Sequence, residues 1–345
     1  MLRNEQGASY KLQNGLASLY SVLPKTFQLD SPASLDKLAI IVVSSRKSDA
    51  HKDSAMSLST IYGETLLLQS DTKGLVHVTL LNTFSANEDS DSMYRHPTAI
   101  LEEAKKCYAR GCRHILYVAK APYSSTLHVS SAETEEEQFF MSKGIIQALK
   151  DGKGDLNIYP IYCDKYYVVR LGEKFKRIES LYVADTSELR SLFADPNQSS
   201  IVFFNLLNGF TIDKSKVYNG VVSYATLVNV YDDPIYDQAI RNNLLNGTQP
   251  GSLKKEFLDF LTLLHFSRYE KKQEINFKLD PYENIIGSDS VGKASLFPHM
   301  MSGVRFNALA FFSDVRSILN KHYTGYVARL LEGEDETLTE AKERE

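Results

Sequence analysis

The chain has 345 residues, of which 43% are hydrophobic, so it is long enough to bury one large hydrophobic core or two ordinary ones. Its formal net charge is -4, so the chain as a whole does not attract polyanions. Any nucleic-acid site must therefore be a local basic groove. The three cysteines lack the spacing of a disulfide framework or zinc site, and no stretch approaches the roughly 18 apolar residues of a membrane span. We therefore expect a cytoplasmic protein without membrane contact and without a bound cofactor.

The first part of the chain predicts an arm followed by three strands. Residues 1–35 are interpreted as an N-terminal arm or the remnant of a preceding module, with a short helix near Gly15–Val22. The run Lys37–Ser44 is continuous, β-branched and apolar, which is typical of a strand buried on both faces. Further strands are predicted over Ser59–Gln69 and Leu75–Ser85, joined by turn residues, so the three strands form an antiparallel meander.

The remainder alternates helices and strands before it becomes helical. An amphipathic helix is predicted over Pro97–Ala109, then the strand His114–Ala119, then a second helix over Ser130–Lys150. Later segments are predicted as the strands Leu156–Cys163, Tyr166–Leu171, Ser180–Ala184, Ser200–Asn205 and Gly220–Tyr231, and as the helices Leu253–Tyr269 and Val304–Leu331. This order predicts an α/β fold with a mixed sheet, in which the meander is joined to parallel strands, as in ribonuclease H-like folds. We place that domain at residues 36–287 and a helical extension with a charged tail at residues 288–345.

Four segments in the same order along the chain resemble the PIWI domain of Argonaute proteins, over roughly residues 10–290. Asn219–Asp233 is similar to the glycine-led loop and strand of that family, which ends in an aromatic residue and two acids. Tyr159–Leu171 resembles the strand that follows a Tyr-x-Pro motif and closes with Arg-Leu. Phe260–Arg268 is similar to the family's helix with a buried histidine, and Ile275–Ile286 to its terminal extended segment.

The resemblance implies catalytic aspartates at the ends of the first and fourth core strands, because two divalent metal ions need bridging carboxylates. The first strand has Val43, or Val42 in a shifted register, at that position, and the fourth has Lys120. Neither valine nor lysine can ligate magnesium. The last catalytic position falls within Ala225–Val228, which offers no carboxylate or imidazole. The sequence therefore predicts a domain without nuclease activity.

The same resemblance implies a grip on the sugar-phosphate backbone of a guide strand. The residues that it assigns to nucleic-acid binding are Lys165, Tyr166, Tyr167, Arg170, Asn219, Gly220, Tyr224 and Arg268. A pair of tyrosines in a strand also packs in a core more often than it stacks on bases. His265, on an apolar helix stripe, is predicted to be a hydrogen-bonded core histidine.

We thus predict a PIWI-like module that binds a single-stranded guide, RNA or DNA, and its complementary target, and that acts in antiviral defence through an associated effector. The roughly 35 residues before the first strand are too few for the domain that holds the guide's 5′ end in Argonautes, so a fragment or a protein partner is expected. One alternative is a magnesium-dependent endonuclease with a displaced active site built from acids such as Asp49, Asp53, Glu64 or Asp232. Another is a PIWI-like scaffold that binds only protein.

Signatures of hydrolases, P-loop enzymes and dinucleotide-binding folds are absent from the sequence. The glycine-containing segment Gly152-Lys153-Gly154 is predicted to be a helix-end turn.

Overall fold

The computed structural model of the chain describes nine stretches of residues. They are 23–47, 58–89, 96–119, 140–169, 182–185, 200–211, 217–231, 239–246 and 253–268. The helices predicted at Gly15–Val22 and Val304–Leu331 lie outside these stretches. No helix in the described part is long and apolar enough to cross a membrane.

Nine strands of the described residues form one sheet in the order β1-β4-β3-β2-β5-β6-β9-β8-β7. The strands are β1 Lys25–Gln28, β2 Lys37–Lys47, β3 Leu58–Ser70, β4 Leu75–Asp89, β5 His114–Ala119, β6 Asn157–Val169, β7 Tyr182–Asp185, β8 Ser200–Thr211 and β9 Val217–Leu227. Three α-helices accompany them: α1 Thr98–Ala109, α2 Lys143–Lys150 and α3 Leu253–Arg268. A π-helix spans Ile240–Leu245.

The centre of the sheet has the strand order of a ribonuclease H-like α/β fold, which confirms the predicted fold class. β2, β3 and β4 form the antiparallel meander, β5 pairs in parallel with β2, and β6 pairs in parallel with β5. The helix α1 connects β4 to β5, and α2 lies between β5 and β6 in the chain. Beyond this centre, β9, β8 and β7 continue the sheet with antiparallel pairs, and β1 adds to the outer edge of β4.

Helices cover the two faces of the sheet, which explains why the predicted first core strand is apolar at every position. Thr65 lies opposite Ile41 and donates a hydrogen bond to Glu103 of α1. Tyr159 lies in the row of the preceding residue, Ile40, and the centre of its ring is 4.8 Å from that of Phe257 in α3. Because successive residues of a strand point to opposite faces, α1 and α3 lie on opposite sides. The side chains from residue 38 to residue 43 are at most 1% exposed.

Two elements differ in extent from the sequence prediction. The segments Leu156–Cys163 and Tyr166–Leu171 were predicted as two strands, but β6 is continuous because β9 pairs with it without interruption from Ile161 to Val169. The predicted helix Ser130–Lys150 begins only at Lys143 within the described residues. Ser142 is its N-cap and accepts a hydrogen bond from the backbone N–H of Ile145, 3.3 Å away.

Two further elements were not predicted. β1 lies in what was interpreted as an arm, where four residues gain ladder hydrogen bonds from β4. The π-helix presents Asn243, whose side chain donates to the Tyr159 hydroxyl at 2.9 Å, and that hydroxyl lies 2.9 Å from Nδ1 of His114. Burial lowers the pKa of His114, so its neutral form is favoured in this cluster.

Two buried carboxylates fasten helices to the rest of the domain, Glu103 to the sheet and Glu256 to the segment between β1 and β2. Glu103 of α1 accepts hydrogen bonds from the side chains of Thr65 at 2.9 Å, Asn82 at 2.7 Å and Lys106 at 2.7 Å. Glu256 of α3 accepts from the backbone N–H and hydroxyl of Ser34 and from the backbone N–H of Leu35, at 2.6–2.9 Å. Hydrogen bonds to a charged acceptor are about twice as strong as neutral ones, so these two side chains hold the layers together.

The cysteines are free and buried, as expected of small core thiols in a chain without disulfides. Burial is the first cause that raises the pKa of Cys112, to about 11, and it also raises that of Cys107. Because the thiolate is the reactive form, neither side chain is suited to act as a nucleophile.

Candidate nucleic-acid interface

The carboxyl end of β5 lies beside Val43 of β2, where the sequence placed a missing carboxylate, and β2 continues beyond this point to Lys47. Val43 of β2 pairs in register with Ala119, the last residue of β5. Lys120 follows Ala119 directly in the sequence but lies outside the described residues. Val43 is completely buried, so its side chain belongs to the core of the sheet.

Val43 belongs to an apolar row that runs across four strands. The register aligns Ala119 of β5, Val43 of β2, Gly63 of β3 and Phe84 of β4. A Cβ placed on Gly63 would meet the Phe84 ring and lie 2.5 Å from the carbonyl oxygen of Val42, so the ring lies directly over this glycine. None of the four side chains carries a polar atom. Together they do not fit a magnesium ion, which requires several oxygen ligands.

Gly63→Ala is expected to lower the free energy of unfolding by about 1–3 kcal/mol, because a methyl group would overlap backbone and ring in a packed core. Gly144→Ala is the matched control, since its Cβ would meet nothing within 4 Å. That variant should gain about 0.5–1 kcal/mol from the lower backbone entropy of alanine in a helix. Urea denaturation of both variants measures the difference. Equal stability of the two would show that the Phe84 ring does not pack on position 63.

A carboxylate does occur in the next row of the sheet. Glu64 lies opposite Val42 of β2 and Thr83 of β4, and its side chain is completely buried. Because successive residues alternate between faces, Glu64 and Val42 lie on the face opposite to Val43. Among the described residues no group of three potential metal ligands occurs. Asp49, Asp53 and Asp232, the other acids of the displaced-site alternative, lie outside the described residues.

The pairing of β6 with β9 brings together two of the segments that resemble the guide-binding parts of PIWI domains. Lys165 lies opposite Val222, and Tyr167 lies opposite Gly220, although about fifty residues separate the strands. β5 pairs with β6 only as far as Ile161, so the eight residues 162–169 extend roughly 26 Å beyond that point. Within the described residues, the end of β5 is thus flanked by two longer strands.

The remaining predicted binding residues are distributed as follows. Tyr166 lies opposite Val221, and Asn219 opposite Val168, in the same ladder. Arg268 is the last residue of α3, on an element that does not pair with this ladder. Arg170 lies outside the described residues.

Tyr224 must be removed from the predicted set. Its side chain is completely buried, and its hydroxyl lies 2.6 Å from Nε2 of His265 in α3. A phenol enclosed in this way has no surface to offer a nucleic-acid strand. The prediction for His265, a hydrogen-bonded core histidine, is confirmed, since it is also fully buried.

Sequence reasoning did not identify the cleft between α1 and α2 as a site. This cleft has a volume of about 380 Å³, and its polar lining residues are His96, Lys105, Gln147, Asp151 and Lys153. Lys153 was interpreted as part of a helix-end turn, which is confirmed: its Nζ donates to the backbone oxygens of Leu149 and Asp151. The available signal was the excess of Lys and Arg over Asp and Glu in the two segments 98–113 and 143–155, which contain seven cationic and four acidic residues.

The strand order defines a ribonuclease H-like α/β domain, and the buried Val43 of its first core strand lies beside the carboxyl end of β5. No protein-family model and no curated protein matches the sequence. Among solved structures, the NurA nuclease from Sulfolobus solfataricus is 12% identical with a TM-score of 0.22, and the match covers 76% of this chain and 94% of that one. The C-terminal lobe of a budding yeast Argonaute is 13% identical with a TM-score of 0.29, covering 79% of this chain and 51% of that one.

Endonuclease V from Bacillus subtilis is 12% identical with a TM-score of 0.23, and the match covers 76% of this chain and 92% of that one. Identities and TM-scores this low add no argument about activity, and the fold class rests on the strand order itself.

Proposed function

We propose that this chain is a nucleic-acid-binding module of ribonuclease H-like fold without nuclease activity. The observation that carries the proposal is the apolar row Ala119–Val43–Gly63–Phe84, which crosses the sheet at the carboxyl end of β5. Two-metal phosphodiester cleavage requires carboxylates at this place, to hold the ions that activate water and stabilise the leaving oxygen. A buried valine, next to a glycine that a phenyl ring covers, supplies no ligand and no charge.

The β6–β9 ladder supports the binding part of the proposal. It joins the segment of Lys165 and Tyr167 to that of Asn219 and Gly220, and both segments resemble the parts of PIWI domains that hold a guide. In the proposed function Lys165 and Arg170 contact backbone phosphates of a single-stranded guide paired with its target. Contacts of this kind hold a strand in place and do not read its sequence.

The proposal also includes a protein partner and a role in defence, because a module that does not cut nucleic acid must act through another protein. A module that binds a guide and target without cutting them needs an associated effector, and a protein partner would also supply a pocket for the guide's 5′ end. We place such a module in defence against foreign nucleic acid, as the resemblance to inactive Argonautes implies.

A salt titration tests the binding. The full chain is titrated against a 5′-phosphorylated RNA strand and a DNA strand of the same sequence, alone and as duplexes, from about 50 mM to 200 mM salt. For single strands we expect the logarithm of the binding constant to fall linearly with log salt, by about 0.7 for each phosphate contact. Lys165→Gln should lower this slope by the amount of one contact, whereas Lys255→Gln, at an exposed site on α3, should not change it. Failure to bind any of the four ligands at low salt would overturn the proposal in favour of a protein-binding scaffold.

The displaced-site nuclease is retained as the second candidate because of Glu64, a buried carboxylate one register position from Val43. The same oligonucleotides are incubated with the wild-type chain and magnesium. We expect no cleavage products. Magnesium-dependent cleavage that disappears in a folded Glu64→Gln variant would contradict the absence of nuclease activity.

A further inference from the structure

We propose that the cleft between α1 and α2 is a second phosphate-contact site, which binds the sugar-phosphate backbone of the nucleic acid held by this domain. The inference rests on the proposed function and adds a surface that the resemblance to PIWI domains does not assign. It concerns the helices that cover the sheet and not the ladder of β6 and β9.

The first observation is the separation of charge within the chain. Residues 98–113 and 143–155 contain seven cationic side chains, Lys105, Lys106, Arg110, Arg113, Lys143, Lys150 and Lys153, against four acids, Glu102, Glu103, Asp151 and Asp155. This layer therefore has three excess positive charges in a chain whose net charge is -4. Such an asymmetry produces a local basic surface, the kind of site that a chain of negative net charge requires for a polyanion.

The second observation is that the layer's own cations already neutralise most of its acids. The carboxylate of Glu102 lies 3.0 Å from Nζ of Lys105, and that of Glu103 lies 2.7 Å from Nζ of Lys106. Asp155 pairs with Arg113 at 2.5 Å. Asp151, the fourth acid, lines the cleft and opposes an incoming anion, and the two lysines of the lining are Lys105 and Lys153.

The third observation is the position of Lys153. The residue is only 8% exposed and lines the cleft. Two of its three ammonium N–H groups donate to the carbonyl oxygens of Leu149 at 3.1 Å and Asp151 at 2.9 Å. The structure gives the third N–H no partner within the described residues, so it remains as a donor held in place by the other two.

These features fit phosphate groups. A lysine ammonium binds phosphate as a point charge. It does not need the planar, two-bond geometry with which an arginine binds a carboxylate. Lys105 lies at the cleft, and Arg110, the C-cap of α1, lies about 7.5 Å further along the helix axis and about 140° around it. Arg110 therefore adds positive charge to the layer outside the cleft.

The test compares Lys105→Gln with Lys255→Gln in the full chain. Both lysines are exposed, on helices, and paired with an acid of their own helix, but Lys255 is on α3 at the opposite face of the sheet. We expect Lys105→Gln to weaken oligonucleotide binding several-fold and to reduce the salt slope by about 0.7 to 0.9, the contribution of one phosphate. Lys255→Gln should match the wild type, and thermal unfolding should show that both variants remain folded.

Arg110→Gln provides a second variant that does not depend on the cleft lining, and we expect it to lower the slope further when combined with Lys105→Gln. If both variants bind like Lys255→Gln while Lys165→Gln lowers the slope, this inference is overturned and the proposed function stands. If the wild-type chain binds no oligonucleotide, both are overturned. Binding of free inorganic phosphate in the cleft with unchanged oligonucleotide affinity in Lys105→Gln would identify a small anion as the ligand instead, and would also overturn the inference.

Discussion

Replacement of Val43 by aspartate is expected to destabilise the fold by about 3–5 kcal/mol, the cost of a buried charge without a partner, and not to create a nuclease. The side chain is completely buried. Its neighbours in the row, Ala119, Gly63 and Phe84, offer no side-chain hydrogen-bond donor to a carboxylate. A loss of this size approaches the whole stability of many domains, so the variant should unfold at much lower urea concentration than the wild type.

Val43→Thr is the graded control for this variant. Threonine keeps the shape of valine but buries one hydroxyl, so we expect a loss of about 1–3 kcal/mol. Both variants are also incubated with magnesium and an oligonucleotide under conditions in which they are folded. A Val43→Asp protein as stable as the wild type, or one that cleaves, would show that position 43 is open to solvent and metal, contrary to the apolar row.

Glu103→Ala is expected to cost about 3 kcal/mol, because the charged acceptor of three hydrogen bonds is removed from the interface between α1 and the sheet. The hydroxyl of Thr65 is buried and loses its acceptor, and the Asn82 amide loses its own. Lys106 is 56% exposed on its side chain, so water can solvate its ammonium group in the variant. The cost should therefore come from Thr65 and Asn82. Urea denaturation at neutral pH measures it.

The adjacent Glu102 supplies a matched control. It also pairs with the lysine three residues further on, but its side chain is 51% exposed, against 3% for Glu103. The hydrogen bond from Lys105 lowers the pKa of Glu102. When the Glu102 side chain is removed, water solvates the exposed ammonium group of Lys105 in its place. Glu102→Ala should unfold at the same urea concentration as the wild type. Equal losses in the two variants would mean that Glu103 is not buried against the sheet.

Strands with a strong apolar or alternating pattern were predicted well. The predicted strand His114–Ala119 coincides with β5, and Lys37–Ser44 lies within β2. The sequence pattern is decisive there because burial on both faces admits few polar residues. The two strands predicted around Asp164 and Lys165 are one strand, since ladder hydrogen bonds from β9 continue through these polar residues.

Part of the candidate site was also predictable. The interest of Val43 followed from the resemblance to PIWI domains, and the structure adds that this residue is buried and pairs with Ala119 at the end of β5. The rejection of Tyr224 did not follow, because the sequence does not reveal that His265, 41 residues away, encloses its hydroxyl. The cleft between α1 and α2 was missed for the same reason: its lining comes from two helices that are more than thirty residues apart in the sequence, with β5 between them.

The sequence by itself determined the class of fold and the absence of a carboxylate at position 43, since both depend on residue type and on periodicity along short stretches. Only the tertiary structure decided that Gly63 and Phe84 complete an apolar row with Val43. It also decided that Lys165 and Tyr167 lie beside the strand of Gly220, and that α1 and α2 join their basic residues in one layer. The physical reason is that strand register and helix packing depend on long-range pairing. Contacts between distant segments form only when the sheet and its two helical layers bury their apolar faces together.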